Sequence, residues 1–97
     1  MDLLQDKVAV VTGAGRGIGR AVALAMAAEG AAVGLAARTS AEIESTGKEI
    51  RDGGGRALAV PTDVGRQEEV DALFAQVRNE LGEVDILVAN AAVSEAT

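Results

Sequence analysis

Val8-Ala9-Val10-Val11-Thr12-Gly13-Ala14-Gly15-Arg16-Gly17-Ile18-Gly19 sets a short apolar run directly against a cluster of glycines. A run of that length, bounded by glycine, fits a strand buried on both faces. After it, Ile18, Val22, Ala25 and Met26 recur at helical spacing, and Gly30 stands where a helix stops. A strand, a glycine-rich turn and a helix in that order make an anion site. The helix N-terminus offers N–H groups without intrahelical partners and the positive end of a dipole. Glycines let the backbone approach a diphosphate without Cβ clashes.

Working outward, the same alternation repeats. Ala31 to Ala37 is a second buried-strand candidate, which Gly34 weakens. Thr39-Ser40-Ala41-Glu42 has the form of a capping box, and Ile43, Gly47 and Ile50 then line one helical face. Gly47 in mid-helix costs on the order of 1 kcal/mol against Ala. Gly53-Gly54-Gly55 ends that helix, and Arg56 to Val60 is a third strand closed by Pro61. From about Gln67 to Leu81, the residues Val70, Leu73, Phe74, Val77 and Leu81 form an amphipathic stripe ended by Gly82. Asp85 to Ala89 is a fourth strand. The order β-α-β-α-β-α-β predicts an α/β fold with a parallel sheet, right-handed crossovers and helices on both faces. The expected strand order is 3-2-1-4, the first half of a doubly wound, Rossmann-type sheet.

Composition narrows the function. The 97 residues carry nine Lys and Arg against fifteen Asp and Glu, a formal net charge of −6. That balance, with one aromatic residue, argues against binding nucleic acid. There is no Cys and no His, so disulfides, thiolate zinc sites and the commonest general base are excluded. No Asp/Glu cluster suggests a metal site. The N-terminus lacks the pattern of a secretory signal, and no apolar run approaches the roughly 18 residues of a membrane span. A cytoplasmic protein is expected.

The glycine spacing is specific. The general G-x-G-x-x-G pattern fails in this loop, since a start at Gly13 ends on Ile18 and a start at Gly15 ends on Arg20. A P-loop also fails, because no Gly-Lys-Ser/Thr follows. What fits is Thr12-Gly13-x-x-x-Gly17-Ile18-Gly19, which resembles the TGxxxGIG loop of the short-chain dehydrogenase/reductase family. The resemblance runs from Lys7 to about Val93 and implies a nicotinamide dinucleotide cofactor, with Gly13, Gly17, Ile18 and Gly19 against it.

In dinucleotide folds an acid about 20 residues past the glycines bonds the ribose 2′-hydroxyl of NAD. Here the second strand ends Ala36-Ala37-Arg38-Thr39, with no acid and a cation instead. A carboxylate repels a 2′-phosphate, whereas Arg offers charge-assisted, often bidentate bonds. Arg16, inside the loop, can reach the same phosphate. By resemblance, Ala37 sits where NAD-preferring members carry Asp, and Arg38 where NADP-preferring members carry Arg. NADP(H) is therefore expected over NAD(H), with Arg16, Arg38 and Thr39 among its contacts.

Two further segments resemble the family. Asp63-Val64 follows the third strand, where an Asp-Val pair holds the adenine; on its own, Asp63 reads as a cap or turn residue. Ala89-Asn90-Ala91-Ala92 resembles the family's Asn-Asn-Ala-Gly segment beside the nicotinamide ribose, matched at Asn90 and Ala91. Ala89 replaces the first Asn and Ala92 the Gly, which narrows backbone approach there.

The family's chemistry uses a Ser, a Tyr and a Lys four residues after that Tyr. This sequence has no Tyr, and Lys7, Lys48 and Ser94 fall outside such a motif. No catalytic residue is expected among residues 1–97, which read as one partial dinucleotide-binding domain without its catalytic half. The whole enzyme would reduce a small-molecule carbonyl or oxidise a secondary alcohol, and would be a homo-oligomer. A stand-alone nucleotide-binding module and a non-functional fragment are the alternatives. Alone, the chain would expose its fourth strand as an apolar edge and is expected to be marginally stable and prone to associate.

Overall fold

The computed structural model describes residues 2–90. Its elements are β1 (Val8–Thr12), α1 (Gly17–Ala28), β2 (Ala32–Ala37), α2 (Ser40–Asp52), β3 (Arg56–Pro61), α3 (Gln67–Glu80) and β4 (Ile86–Val88). The four strands form one parallel sheet in the order β3-β2-β1-β4. This is the expected Rossmann-type half-sheet, with boundaries within two residues of those read from the sequence.

The chain fills both faces of the sheet. On one face, α1 and α2 bring Ala23, Ile43 and Ile50 onto Val11, Val33 and Leu35. On the other, Leu73 and Val77 of α3 cover Val8, Val10, Ala32, Ala36 and Val60. Successive strand residues point to opposite faces, so a strand covered on both sides needs apolar residues throughout. All five residues of β1 are buried.

β2 runs unbroken through Gly34. It pairs with Val10 on one side and Leu58 on the other. A Cβ added there would stand 2.8 Å from Val77 Cγ2. The α3-facing side of β2 is thus Ala32, Gly34 and Ala36, and the missing side chain is what seats Val77.

The inner face of α1 differs from the expected one. Ile18 is 75% exposed, and the buried residues are Gly19 and Ala23. Val22 and Met26 pack at the margin of the core, while Ala25 faces solvent. Apolar periodicity favours bulky residues, but a helix lying close on a sheet buries its smallest ones.

Two helix ends are closed by the same device. Gly30 has φ 101°, its N–H donates to Ala27 O at 3.0 Å, and Ala31 N–H donates to Met26 O at 3.1 Å. Gly54 has φ 91°, its N–H donates to Arg51 O at 2.9 Å, and Gly55 N–H donates to Ile50 O at 3.0 Å. Both are Schellman ends, which need a residue at ease with positive φ.

β4 pairs with β1 and is, with β3 at the other side, one of the two edge strands among the described residues. Leu87 on this strand is 53% exposed among the described residues. The start of β4 is fastened by Asp85, whose carboxylate accepts the Val8 N–H at 2.9 Å and whose N–H donates to Val8 O at 2.8 Å. Among the described residues, no helix is long and apolar enough to cross a membrane.

Candidate cofactor-binding site

A parallel sheet sends the C-terminal ends of all its strands to one edge. The segments after β1, β2, β3 and β4 therefore gather there, bringing the glycine loop, Arg38, Asp63 and Asn90 to a single side of the molecule. Ala91 and Ala92 lie outside the described residues.

The glycine loop is shaped by close approaches. Gly13 and Gly17 have φ 64° and 62°, in the left-handed region where a Cβ is strained. No atom lies within 4 Å of where a Cβ on Gly17 would point, so that position opens onto free space. Gly19 is the opposite case. A Cβ there would overlap the carbonyl oxygen of Gly13 and stand 2.9 Å from Asn90 Nδ2. Gly15 is closed by α2, where a Cβ would lie 2.5 Å from that of Glu42. Three of these glycines thus serve different ends: Gly17 keeps the loop open outward, Gly19 lets α1 close on the end of β1, and Gly15 admits α2.

The start of α1 has the chemistry of an anion site. Its N-cap, Arg16, is extended and makes no side-chain cap bond. A helix gives no internal partner to its first N–H groups, here those of Gly17, Ile18 and Gly19. The first turn carries no acidic residue. Arg16 is 85% exposed, with its guanidinium 3.9 Å from the Glu42 carboxylate. A diphosphate above Gly17 would meet N–H donors, a positive dipole end and an exposed cation.

The neighbouring segments differ in how they are held. Arg38 is exposed immediately beyond the end of β2, and Thr39 is the N-cap of α2. The capping box expected at Thr39 is not formed: Thr39 makes no side-chain cap bond, and Glu42 turns to Arg16 instead. Asp63 accepts the Gly65 N–H at 2.9 Å through Oδ1, the turn role read from its residue type. Its own N–H donates to Glu69 Oε1 at 2.8 Å. Val64 beside it is 38% exposed. Asn90 donates its backbone N–H to Thr12 Oγ1 at 2.9 Å, and the Thr12 hydroxyl donates to Val88 O at 3.4 Å. Thr12 thereby ties the end of β4 to the start of the loop.

Sequence reasoning had Thr12 only as the first residue of the loop motif and Glu42 only as part of a capping box, and it missed Thr46. Thr46 is fully buried in α2 and donates to the Ala14 carbonyl at 3.1 Å. The available signal was its position: it falls within the buried stripe of Ile43, Gly47 and Ile50, where a polar group must find a partner. Among the described residues, no buried side-chain nitrogen or oxygen lacks one.

Comparison with known proteins agrees with this architecture. The family model for short chain dehydrogenase matches residues 7–97. An uncharacterized oxidoreductase of Mycobacterium tuberculosis is 46% identical over 87 residues, which cover 90% of this chain and 33% of that protein. The crystal structure of a hydroxysteroid dehydrogenase from Escherichia coli matches with a TM-score of 0.87 at 38% identity, over 90% of this chain and 37% of the other. L-Sorbose reductase from Gluconobacter frateurii, solved with NADPH and L-sorbose, matches with a TM-score of 0.86 at 41% identity, over 93% and 35%. The chain thus spans about a third of the length of the curated relatives it matches. With a parallel 3-2-1-4 sheet, a TGxxxGIG loop at its edge and a family match over nearly every residue, the chain belongs to the short chain dehydrogenase family.

Proposed function

We propose that this segment holds NADP(H), and that the whole protein is an oxidoreductase reducing a small carbonyl compound or oxidising a secondary alcohol. The observation that carries the choice of cofactor is the end of β2. Ala37 stands where an acid would bond a ribose 2′-hydroxyl, and the next residue is the exposed Arg38. A 2′-phosphate there would meet Arg38 from one side and Arg16 from the other, and either guanidinium can give it charge-assisted bonds. The relative from Gluconobacter frateurii, solved with NADPH, supports the reading by likeness.

When bound, the cofactor supplies the hydride. The chain's own residues bind and orient. The N–H groups of Gly17, Ile18 and Gly19 take the diphosphate, and Gly13 shapes the turn beneath it. Thr39 stands beside the 2′-phosphate. The Asp63 carboxylate keeps acceptor capacity beyond its bond to Gly65, enough for an exocyclic amine, and Val64 packs on the adenine ring. Asn90 serves the nicotinamide-ribose side, where family resemblance also assigns Ala91 and Ala92. The 97 residues contain no Tyr, so the family's proton-transferring Tyr is not among them. This segment alone is expected to bind nucleotide without turnover. We further infer a cytoplasmic homo-oligomer with no nucleic-acid or membrane partner, a view the net charge of −6 favours.

The test is a fluorescence titration of the protein, as its own gene encodes it, with NADPH and NADH. NADPH should bind about 10- to 100-fold tighter, the range for a charged hydrogen bond. Arg38→Ala should remove most of that preference while leaving NADH affinity nearly unchanged. Equal affinities in the parent protein, or a preference for NADH, would overturn the choice of cofactor.

A further inference from the structure

The glycine loop is gripped from behind, by a side chain no bound nucleotide would touch. Thr46 sits in the middle of α2 at 0% exposure. A hydroxyl taken out of water costs free energy unless it is bonded. Its Oγ1 lies 3.2 Å from the Glu42 carbonyl and 3.1 Å from the Ala14 carbonyl. The first contact is the ordinary bond of a helical Thr to the residue four before it. The second reaches 32 positions back along the chain, into the glycine loop. One proton serves two carbonyls, so the helix competes with the loop for it.

Ala14 is itself fully buried, and its N–H donates to Ala36 O at 3.2 Å. Both of its backbone polar groups are therefore bound to other elements, the N–H to β2 and the carbonyl to α2. The next residue, Gly15, lies under the Cβ of Glu42. Glu42 and Thr46 are one helical turn apart and share a face. Together they fix the two peptides that lead into Arg16 and the first turn of α1.

We propose that Thr46 is a positioning residue for the bound dinucleotide. Its hydroxyl, acting through the Ala14 carbonyl, presets the direction of the loop peptides and of the N–H groups at the start of α1. An anion site that is already ordered loses less conformational freedom on binding than one that must be ordered by its ligand. This inference rests on the nucleotide-binding reading above. It assigns Thr46 no contact with the cofactor and no part in choosing between NADPH and NADH.

The test compares Thr46→Val and Thr46→Ser with the parent protein as its own gene encodes it. Val keeps the shape of Thr and removes the donor; Ser keeps the donor. The readouts are dissociation constants for NADPH and NADH by fluorescence titration, and amide hydrogen exchange without nucleotide. Thr46→Val should weaken both nucleotides by a similar factor of about 3 to 10, the loss set by one neutral hydrogen bond. Exchange should accelerate at residues 13–19 and stay unchanged in β3 and α3. Thr46→Ser should restore both. If Thr46→Val does not fold, Thr46→Cys, a weak donor of similar size, takes its place with an intermediate loss expected.

Three results would overturn the proposal: parent-like affinity in Thr46→Val, failure of Ser to restore it, or exchange that rises uniformly across the sheet. A parent protein that binds neither nucleotide would instead overturn the underlying reading, and the proposal with it. The first titration therefore separates the two failures.

Discussion

The loop after β1 and the turn after β3 do the same topological job and are held in contrasting ways. Each carries the chain from the end of a strand into a helix at the same edge of the sheet. The glycine loop takes its bonds and contacts from afar: Ala36 and Thr46 bond Ala14, Glu42 covers Gly15, and Asn90 presses on Gly19. The turn after β3 closes mostly on itself. Gly65 bonds the Asp63 carboxylate, Arg66 N–H donates to Asp63 O at 3.0 Å, and Glu69 reaches back to the Asp63 N–H. A locally closed turn keeps its shape when the fold around it loosens. A loop shaped from a distance is only as ordered as the elements that hold it.

Replacing Gly19 by Val should break the distant arrangement with the largest effect. Any Cβ at this position overlaps the Gly13 carbonyl, and Val adds a branched side chain. Overpacking of this kind costs about 1–3 kcal/mol, read as a lower thermal midpoint. NADPH binding should fall below detection in a titration, while exchange at residues 63–66 stays as in the parent. Parent-like binding by Gly19→Val would show that the loop tolerates misplacement, and the contrast would collapse.

Asp63→Ala sharpens the contrast from the other side. Loss of the Gly65 bond should cost about 1 kcal/mol, with faster exchange confined to residues 63–66. Asp63→Asn keeps the acceptor and should keep the turn. Any weakening of NADPH binding by Asn then reports the carboxylate's role toward the adenine, separately from turn geometry. Altered exchange at residues 13–19 in either variant would show the two segments to be coupled.

The smallest effect is expected at Glu42. Its carboxylate stands 3.9 Å from an Arg16 guanidinium that is 85% exposed, a pair worth at most about 1 kcal/mol. Glu42→Gln should free Arg16 and remove a negative charge from the loop. NADPH should bind up to about 5-fold tighter, the upper end for an exposed ion pair. NADH should change little, and added salt should shrink the difference. Weaker NADPH binding in this variant would mean that Glu42 orients Arg16 rather than competing for it.

The same contrast explains what could be read before the structure was known. The strands, the glycine loop and the face of α3 made by Leu73 and Val77 follow from periodicity and glycine spacing, which are local, and the strand order from the rule for doubly wound sheets. The turn role of Asp63 is local as well. The exposure of Ile18, the unformed capping box at Thr39 and the seat that Gly34 gives to Val77 depend on elements distant in sequence. Thr46 escaped notice and Glu42 read as a capping residue for that reason: each makes sense only once α2 lies against the loop. Arg38 could be placed from the sequence because it lies just beyond a strand end, and its role toward a 2′-phosphate belongs to the proposal. The adenine-holding role of Asp63 came from family likeness, and the geometry speaks first for the turn.

The pairing of β1 has a consequence in time. This strand takes β2 on one side, but its other partner begins far downstream, with Asp85 bonding Val8 across 77 positions. During synthesis at about 5–20 residues per second, the open edge of β1 waits roughly 4–15 seconds for β4 to emerge. For that interval a strand apolar from Val8 to Val11 has one side unpaired, and it is the same strand that ends in the glycine loop. A nascent chain of this kind is most exposed to mispairing through its central strand, and a synonymous slowing of translation between α2 and α3 would lengthen the wait without altering a residue.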